Sequence, residues 1–189
     1  MFDATGRRTE VVGNQIRIIP WDRAHPRVTI PVGRTGAQGI SGQEKTFHTY
    51  DVSTSSHRRS AGAFGNAIAG NPTPGNDRAA TVDGAINNAG RIPLNGDTNL
   101  VQSFRVPSPD GSRYTDITVN YTVSGQHGLT EGFVMRYGEI GSDGNITLQT
   151  YGEGNAWEQS PILARFWEPR VEQTWKDVDR EVLDSLRPR

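Results

Sequence analysis

The chain has 189 residues, with 20 Lys and Arg against 21 Asp and Glu, a net charge of −1, and only 33% hydrophobic residues. That is the length of one ordinary domain. No apolar run nears the ~18 residues of a membrane span, and the opening MFDATGRRTE lacks the apolar stretch of a classical secretory signal.

Cysteine is absent, which excludes disulfide frameworks, cysteine–zinc sites, iron–sulfur clusters and cysteine nucleophiles. His25, His48, His57 and His127 have no close metal-ligand spacing, so neither a metal nor a cofactor is expected. Charge is uneven: residues 1–60 carry nine basic against five acidic side chains, and residues 139–189 six against ten. A basic front half suits phosphate or an acidic partner, while attraction between the two ends or plain solvation explains it as well. Of the basic residues only Lys45 and Lys176 are lysine.

The chain reads as a single domain over 1–189. Residues 1–60 hold β-like runs at Gln15–Ile19 and Arg27–Val32, punctuated by Pro20, Pro26 and Pro31. Proline cannot donate to a ladder, so these runs predict an extended arm or edge strands rather than a central sheet. The glycines at 33, 36, 39 and 42 precede an alternating run at Thr46–Ser53, read as a strand.

Residues 60–99 form a loop-rich segment. Ser60–Ala69 suggests a short helix around Phe64 and Ile68, and Asn71–Asp77 (NPTPGND) is turn chemistry. The long Gly/Asn/Pro-rich stretch at 70–99 is the candidate lid or binding loop.

Residues 100–151 predict a four-stranded antiparallel meander. Leu100–Val106 leads through the Pro109–Ser112 turn into Tyr114–Val123, where Ile117, Val119, Tyr121 and Val123 alternate with polar residues. Gly132–Ile140 follows, with Phe133, Met135 and Tyr137 on one face, and the turn Ser142-Asp143-Gly144-Asn145 leads into Asn145–Tyr151. Residues 157–187 predict a helical C-terminus. Ser160-Pro161 starts a short helix, and from Pro169 a stripe of Val171, Trp175, Val178, Val182 and Leu186 predicts an amphipathic helix over one sheet face. The expected fold is α+β: an antiparallel β-meander packed against that helix, with an extended N-terminal arm and a long loop.

The chemistry-bearing residues concentrate in NYTVSGQHGLTEGFVMRYG (120–138) and YGEGNAW (151–157). If the strands pair as neighbours, His127, Glu131, Arg136 and Glu153 converge at one side of the sheet. An imidazole and carboxylates share acid–base work while a guanidinium stabilises developing negative charge. Metal-free ribonucleases use such a set, but in barnase-like ribonucleases, which this stretch resembles, the helix precedes the sheet. A structural His127 capping its turn is the plainer reading. Ser53-Thr54-Ser55, with Arg17 and Glu153, resembles the Ser-Thr-Ser element of ADP-ribosyltransferases, yet Glu-x-Glu is absent at Glu153-Gly154-Asn155. No G-x-S-x-G elbow, P-loop or H-E-x-x-H is present.

NPTPGND, NYTVSGQHGLTEGFVMRYG, YGEGNAW and the Trp-bearing terminal helix together resemble C-terminal toxin or effector modules of bacterial polymorphic toxins and secretion-system effectors, over roughly residues 70–189. The opening FDATGRRTEVVGNQIRIIP resembles a stretch cut from a larger chain. The resemblance implies delivery into a target cell by a specialised apparatus, a cognate immunity protein as partner and, with the ribonuclease-like set, a nucleic-acid substrate. The competing expectation is a non-enzymatic β-rich binding or structural module, such as a virion or surface component.

Overall fold

The computed structural model describes residues 8–34, 47–55, 59–75, 78–90, 99–127, 131–155 and 161–187, with the backbone alone at 55 and 161–169. The glycines at 36, 39 and 42, together with Thr46 and Ser160, lie outside the described residues.

The fold is α+β, as the alternation and the terminal stripe predict. Strands β1 (Thr9–Val12), β2 (Gln15–Ile18) and β3 (Val28–Pro31) form a three-stranded antiparallel sheet in the order β1-β2-β3. The N-terminal segment is therefore a small sheet and not an extended arm. Its prolines sit where they cost nothing: Pro31 ends β3, and Pro20 and Pro26 fall between β2 and β3.

The remaining strands are β4 (Phe47–Ser55), β5 (Ala85–Asn88), β6 (Leu100–Val106), β7 (Ile117–Thr122), β8 (Glu131–Ile140) and β9 (Ile146–Asn155). They make a six-stranded antiparallel sheet in the order β4-β9-β8-β7-β6-β5. Strands β5 to β9 are a continuous meander, one strand longer than expected, and β4 closes onto β9 at the edge.

Between β4 and β5 stands helix α1 (Ala61–Gly70), begun by Ser60, whose Oγ accepts from the Ala63 N–H at 3.2 Å. The chain ends in helix α2 (Pro161–Ser185). Pro161 occupies its first turn, where a missing N–H is harmless. The sequence suggested a break before Pro169, but α2 runs through it as one helix of 25 residues.

Side chains alternate across the large sheet, so each face meets a different layer. On one face Phe104, Ile117, Val119, Tyr121, Phe133, Met135, Tyr137 and Tyr151 pack against Ile16, Ile18, Val28 and Ile30 of the small sheet. On the other, α1 contributes Phe64 and Ile68, and α2 contributes Trp175, Val178 and Val182, covering Val52, Ile146 and Leu148. Each of these large apolar side chains contributes about 1.5–3 kcal/mol when fully buried. No helix among the described residues is long and apolar enough to cross a membrane.

The helix face holds one buried ion pair. Arg136 Nη2 donates to Asp179 Oδ1 at 2.8 Å, both side chains being fully enclosed. Thr54 and Thr150 hydroxyls donate to the same carboxylate at 3.1 Å, and Arg136 also donates to the Asn71 carbonyl. Such a pair adds little net stability but is costly to break.

The described residues of the 70–99 stretch are held down rather than free. Asn120 Nδ2 donates to the Pro72 carbonyl at 2.7 Å, Asn87 bonds both backbone groups of Arg78 at 2.8 Å, and residues 85–88 are β5. Residues 76–77 and 91–98 of that candidate loop lie outside the described residues.

Asp179→Ala should lower unfolding stability in urea by about 3–5 kcal/mol, because it strands the Arg136 charge in the core. The double variant Arg136→Met, Asp179→Leu should recover most of that loss.

Candidate functional site

The register of β8 and β9 decides which of the sequence-selected residues can meet. Phe133 pairs with Glu153 and Glu131 with Asn155, so Glu131, Glu153 and Asn155 project from the face toward the small sheet. Arg136, an odd number of positions away, projects to the opposite face and is consumed by Asp179. The expectation that all four converge is corrected on this point. Glu131 accepts from the Tyr121 hydroxyl at 2.5 Å, and His127 is half-buried in the turn that follows β7. Burial lowers the His127 pKa from 6.5 to about 4.

The ADP-ribosyltransferase-like set is not assembled either. The Ser53 hydroxyl donates to Gln149 at 2.5 Å, Thr54 turns to the helix face, and Arg17 pairs with Glu10 on the small sheet at 3.1 Å.

Around Glu153 stands a denser cluster than the sequence suggested. Glu153 is 2% exposed. Its Oε1 accepts from the Tyr151 hydroxyl and from the Trp21 backbone N–H, each at 2.5 Å. Its Oε2 is buried and has no hydrogen-bond partner among the described residues, and the same holds for Asn155 Oδ1 beside it. Burial pushes the Glu153 carboxyl above its usual range, outweighing the Trp21 N–H, the Tyr151 hydroxyl and the charges of Arg8 and His25, which pull it down.

His25 lies flat on Tyr151, with ring centres 3.7 Å apart, and its Nδ1 is 2.7 Å from the Tyr137 hydroxyl. Its Nε2 is 3.5 Å from Asp51 Oδ2. Burial raises the pKa of Tyr137 and Tyr151, keeping both hydroxyls protonated as donors. Two polar chains thus run side by side: Asp51–His25–Tyr137, and Tyr151–Glu153.

The backbone explains why β9 can carry this load. Tyr151 and Glu153 face the cluster, while Gly152 and Gly154 face the other way. A Cβ at Gly152 would collide with the Tyr50 ring, and one at Gly154 would press on the β8 backbone at 3.1 Å. YGEGN is thus an alternation of site residues with glycines that admit a neighbouring ring or strand. Sequence reasoning found Glu153 but missed His25, Asp51, Tyr137, Tyr151 and Trp21. The bracketing of WDRAH by Pro20 and Pro26 was the available signal for His25 and Trp21. No group of His, Asp and Glu among the described residues is arranged to hold a metal.

No family model matches the chain, and no curated protein does. Among solved structures it is similar to Ara h 8.0201 at 13% identity and a TM-score of 0.40, covering 73% of this chain and 99% of that one. A point mutant of norcoclaurine synthase from Thalictrum flavum in complex with a transition-state analogue gives 12% and 0.42, over 74% and 96%. A major latex protein family member from Arabidopsis thaliana gives 14% and 0.40, over 75% and 98%. At such identities and TM-scores no activity passes from them to this chain.

These neighbours are plant proteins and not toxin modules, so the expectation of a bacterial toxin or secretion-system effector with nuclease-like chemistry is corrected. The competing expectation of a non-enzymatic virion or surface module, and the ADP-ribosyltransferase reading, gain no support from them.

Glu153 and His127 should both shape stability against pH, with opposite signs. Glu153 has a raised folded-state pKa, so its contribution is present below the ordinary carboxyl range and is lost as pH rises through the raised value. Glu153→Gln should flatten that decline in pH-dependent urea unfolding. His127 is held neutral, so stability should fall as pH drops from 6.5 toward about 4. His127→Gln should remove that acid-side loss.

Proposed function

We propose that the chain is an acid–base enzyme acting on a small organic substrate, with Glu153 exchanging a proton through Oε2. The observation that carries this reading is the unequal use of the two carboxylate oxygens. Oε1 is held by two donors, and Oε2 is buried with none among the described residues. Buried polar atoms are nearly always hydrogen-bonded, and each exception calls for an explanation, a catalytic role among them. A desolvated carboxyl with a raised pKa is a stronger base than one in water and a competent acid once protonated.

The surroundings support the same role. The Tyr151 hydroxyl and the Trp21 N–H fix the rotamer, so the oxygen that reacts is always the same one. Phe133, directly opposite Glu153 across β8 and β9, keeps the local dielectric low, which strengthens interactions with a bound substrate. Glu153 is the catalytic residue of this reading, and Tyr151 is its positioning residue.

Nitrobenzisoxazole tests it without knowledge of the natural substrate. A base removes the ring C–H proton, the N–O bond breaks, and a coloured cyanophenolate leaves. Base catalysis at a positioned carboxylate contributes roughly 10²–10⁴-fold, so wild type should exceed Glu153→Gln by about a hundredfold or more. The rate should rise with pH through the raised pKa of Glu153, because the carboxylate is the reactive form. Equal rates in wild type and folded Glu153→Gln would overturn the assignment.

A further inference from the structure

Residues 20–27, between β2 and β3, cross the large sheet over Glu153. We propose that this segment is a strap that closes the Glu153 site and lifts to admit substrate, with His25 as its latch. The inference rests on the reading of Glu153 as the reacting group and adds how that group is reached.

Three observations carry it. First, the strap belongs to neither sheet. It has no ladder partner among the described residues, and its own turn is a His25 N–H to Asp22 carbonyl bond at 3.3 Å with an Asp22 side chain accepting from the Ala24 N–H at 2.9 Å. Second, it occupies the site's hydrogen-bonding groups. Its Trp21 amide fills one position on Glu153 Oε1, and its Asp22 amide lies 3.4 Å from the Tyr151 hydroxyl oxygen. With the strap down, Oε2 is sealed from solvent.

Third, its attachment is concentrated in a few side chains. Pro20, His25 and Pro26 are buried, whereas Trp21 to Ala24 are exposed. His25 contacts Tyr151, Tyr137 and Asp51, and the Trp21 ring leans on Phe47 beneath the Arg8 guanidinium. Farther out, the Ala24 carbonyl accepts from the Tyr114 hydroxyl at 3.0 Å and from Arg113 at 3.2 Å. The prolines at either end have fixed φ, which removes one rotatable angle at each boundary. A segment secured by side chains outside a ladder opens at lower free energy than the strands it joins.

Amide hydrogen exchange on the full chain tests the strap without reference to activity. In His25→Ala the Trp21 and Asp22 amides should exchange roughly tenfold faster or more, while Arg17 and Ile18 in β2 and Met135 in β8 keep their wild-type rates. Tyr137→Phe, which removes a single hydroxyl, should act in the same direction by a smaller factor. Unchanged strap amides in both variants would overturn the proposal. So would acceleration of β2 by the same factor, because the strap would then open only with its sheet. The two readings fail separately. A strap that opens while nitrobenzisoxazole turnover is indifferent to Glu153 sinks the catalytic assignment alone. Glu153-dependent turnover with an unaltered strap sinks the latch alone.

Discussion

A β-strand turns successive side chains to opposite faces, and on β8 and β9 that constraint decides what every neighbouring group can do. Glu153 and Tyr151 go one way, and Arg136 and Thr150 the other. The same alternation assigns the two coverings. The helix face receives α1 and α2 because Val52, Ile146 and Leu148 line it, and the opposite face receives the small sheet because Phe133, Met135 and Tyr137 line that one. A slip of β9 by one residue against β8 would turn Glu153 and Tyr151 under α2 and bring Leu148 and Thr150 to the small sheet, disrupting both layers.

Much of the architecture was legible from periodicity. The two-residue alternation at 117–123 and 133–137 marks half-buried strands, and the stripe from Val171 to Val182 marks a helix that covers a sheet. What periodicity does not carry is pairing over long separations. The sequence offers no local signal that β4 lies beside β9, nor that residues 20–27 return to cover Tyr151. Those contacts follow from the closing of a sheet edge and from packing of one layer on another.

The same limit explains the partial reading of the site. Glu153 stood out because it follows the predicted strand Asn145–Tyr151, next to the stretch that carries His127, Glu131 and Arg136. Arg136 looked suitable because the strand pairing was right, but face parity separates it from Glu153 and delivers it to Asp179, more than forty residues later in the chain. His25 was visible only as a histidine without metal spacing. Its role comes from a stack on Tyr151 and a bond to Tyr137, both over a hundred residues away.

The two faces of the sheet each bury charged groups, and they treat them differently. Around Arg136 and Asp179 the polar atoms are matched by Thr54, Thr150 and the Asn71 carbonyl, which is how a structural network avoids the cost of a buried charge. Around Glu153 the matching is incomplete: Glu153 Oε2 and Asn155 Oδ1 are buried without a hydrogen-bond partner among the described residues. Glu153 Oε2 lies beneath a segment that belongs to neither ladder, and that placement supports its reading as a site. The helix face supplies rigidity, and the strap face keeps a carboxylate dry, oriented and one local opening away from solvent.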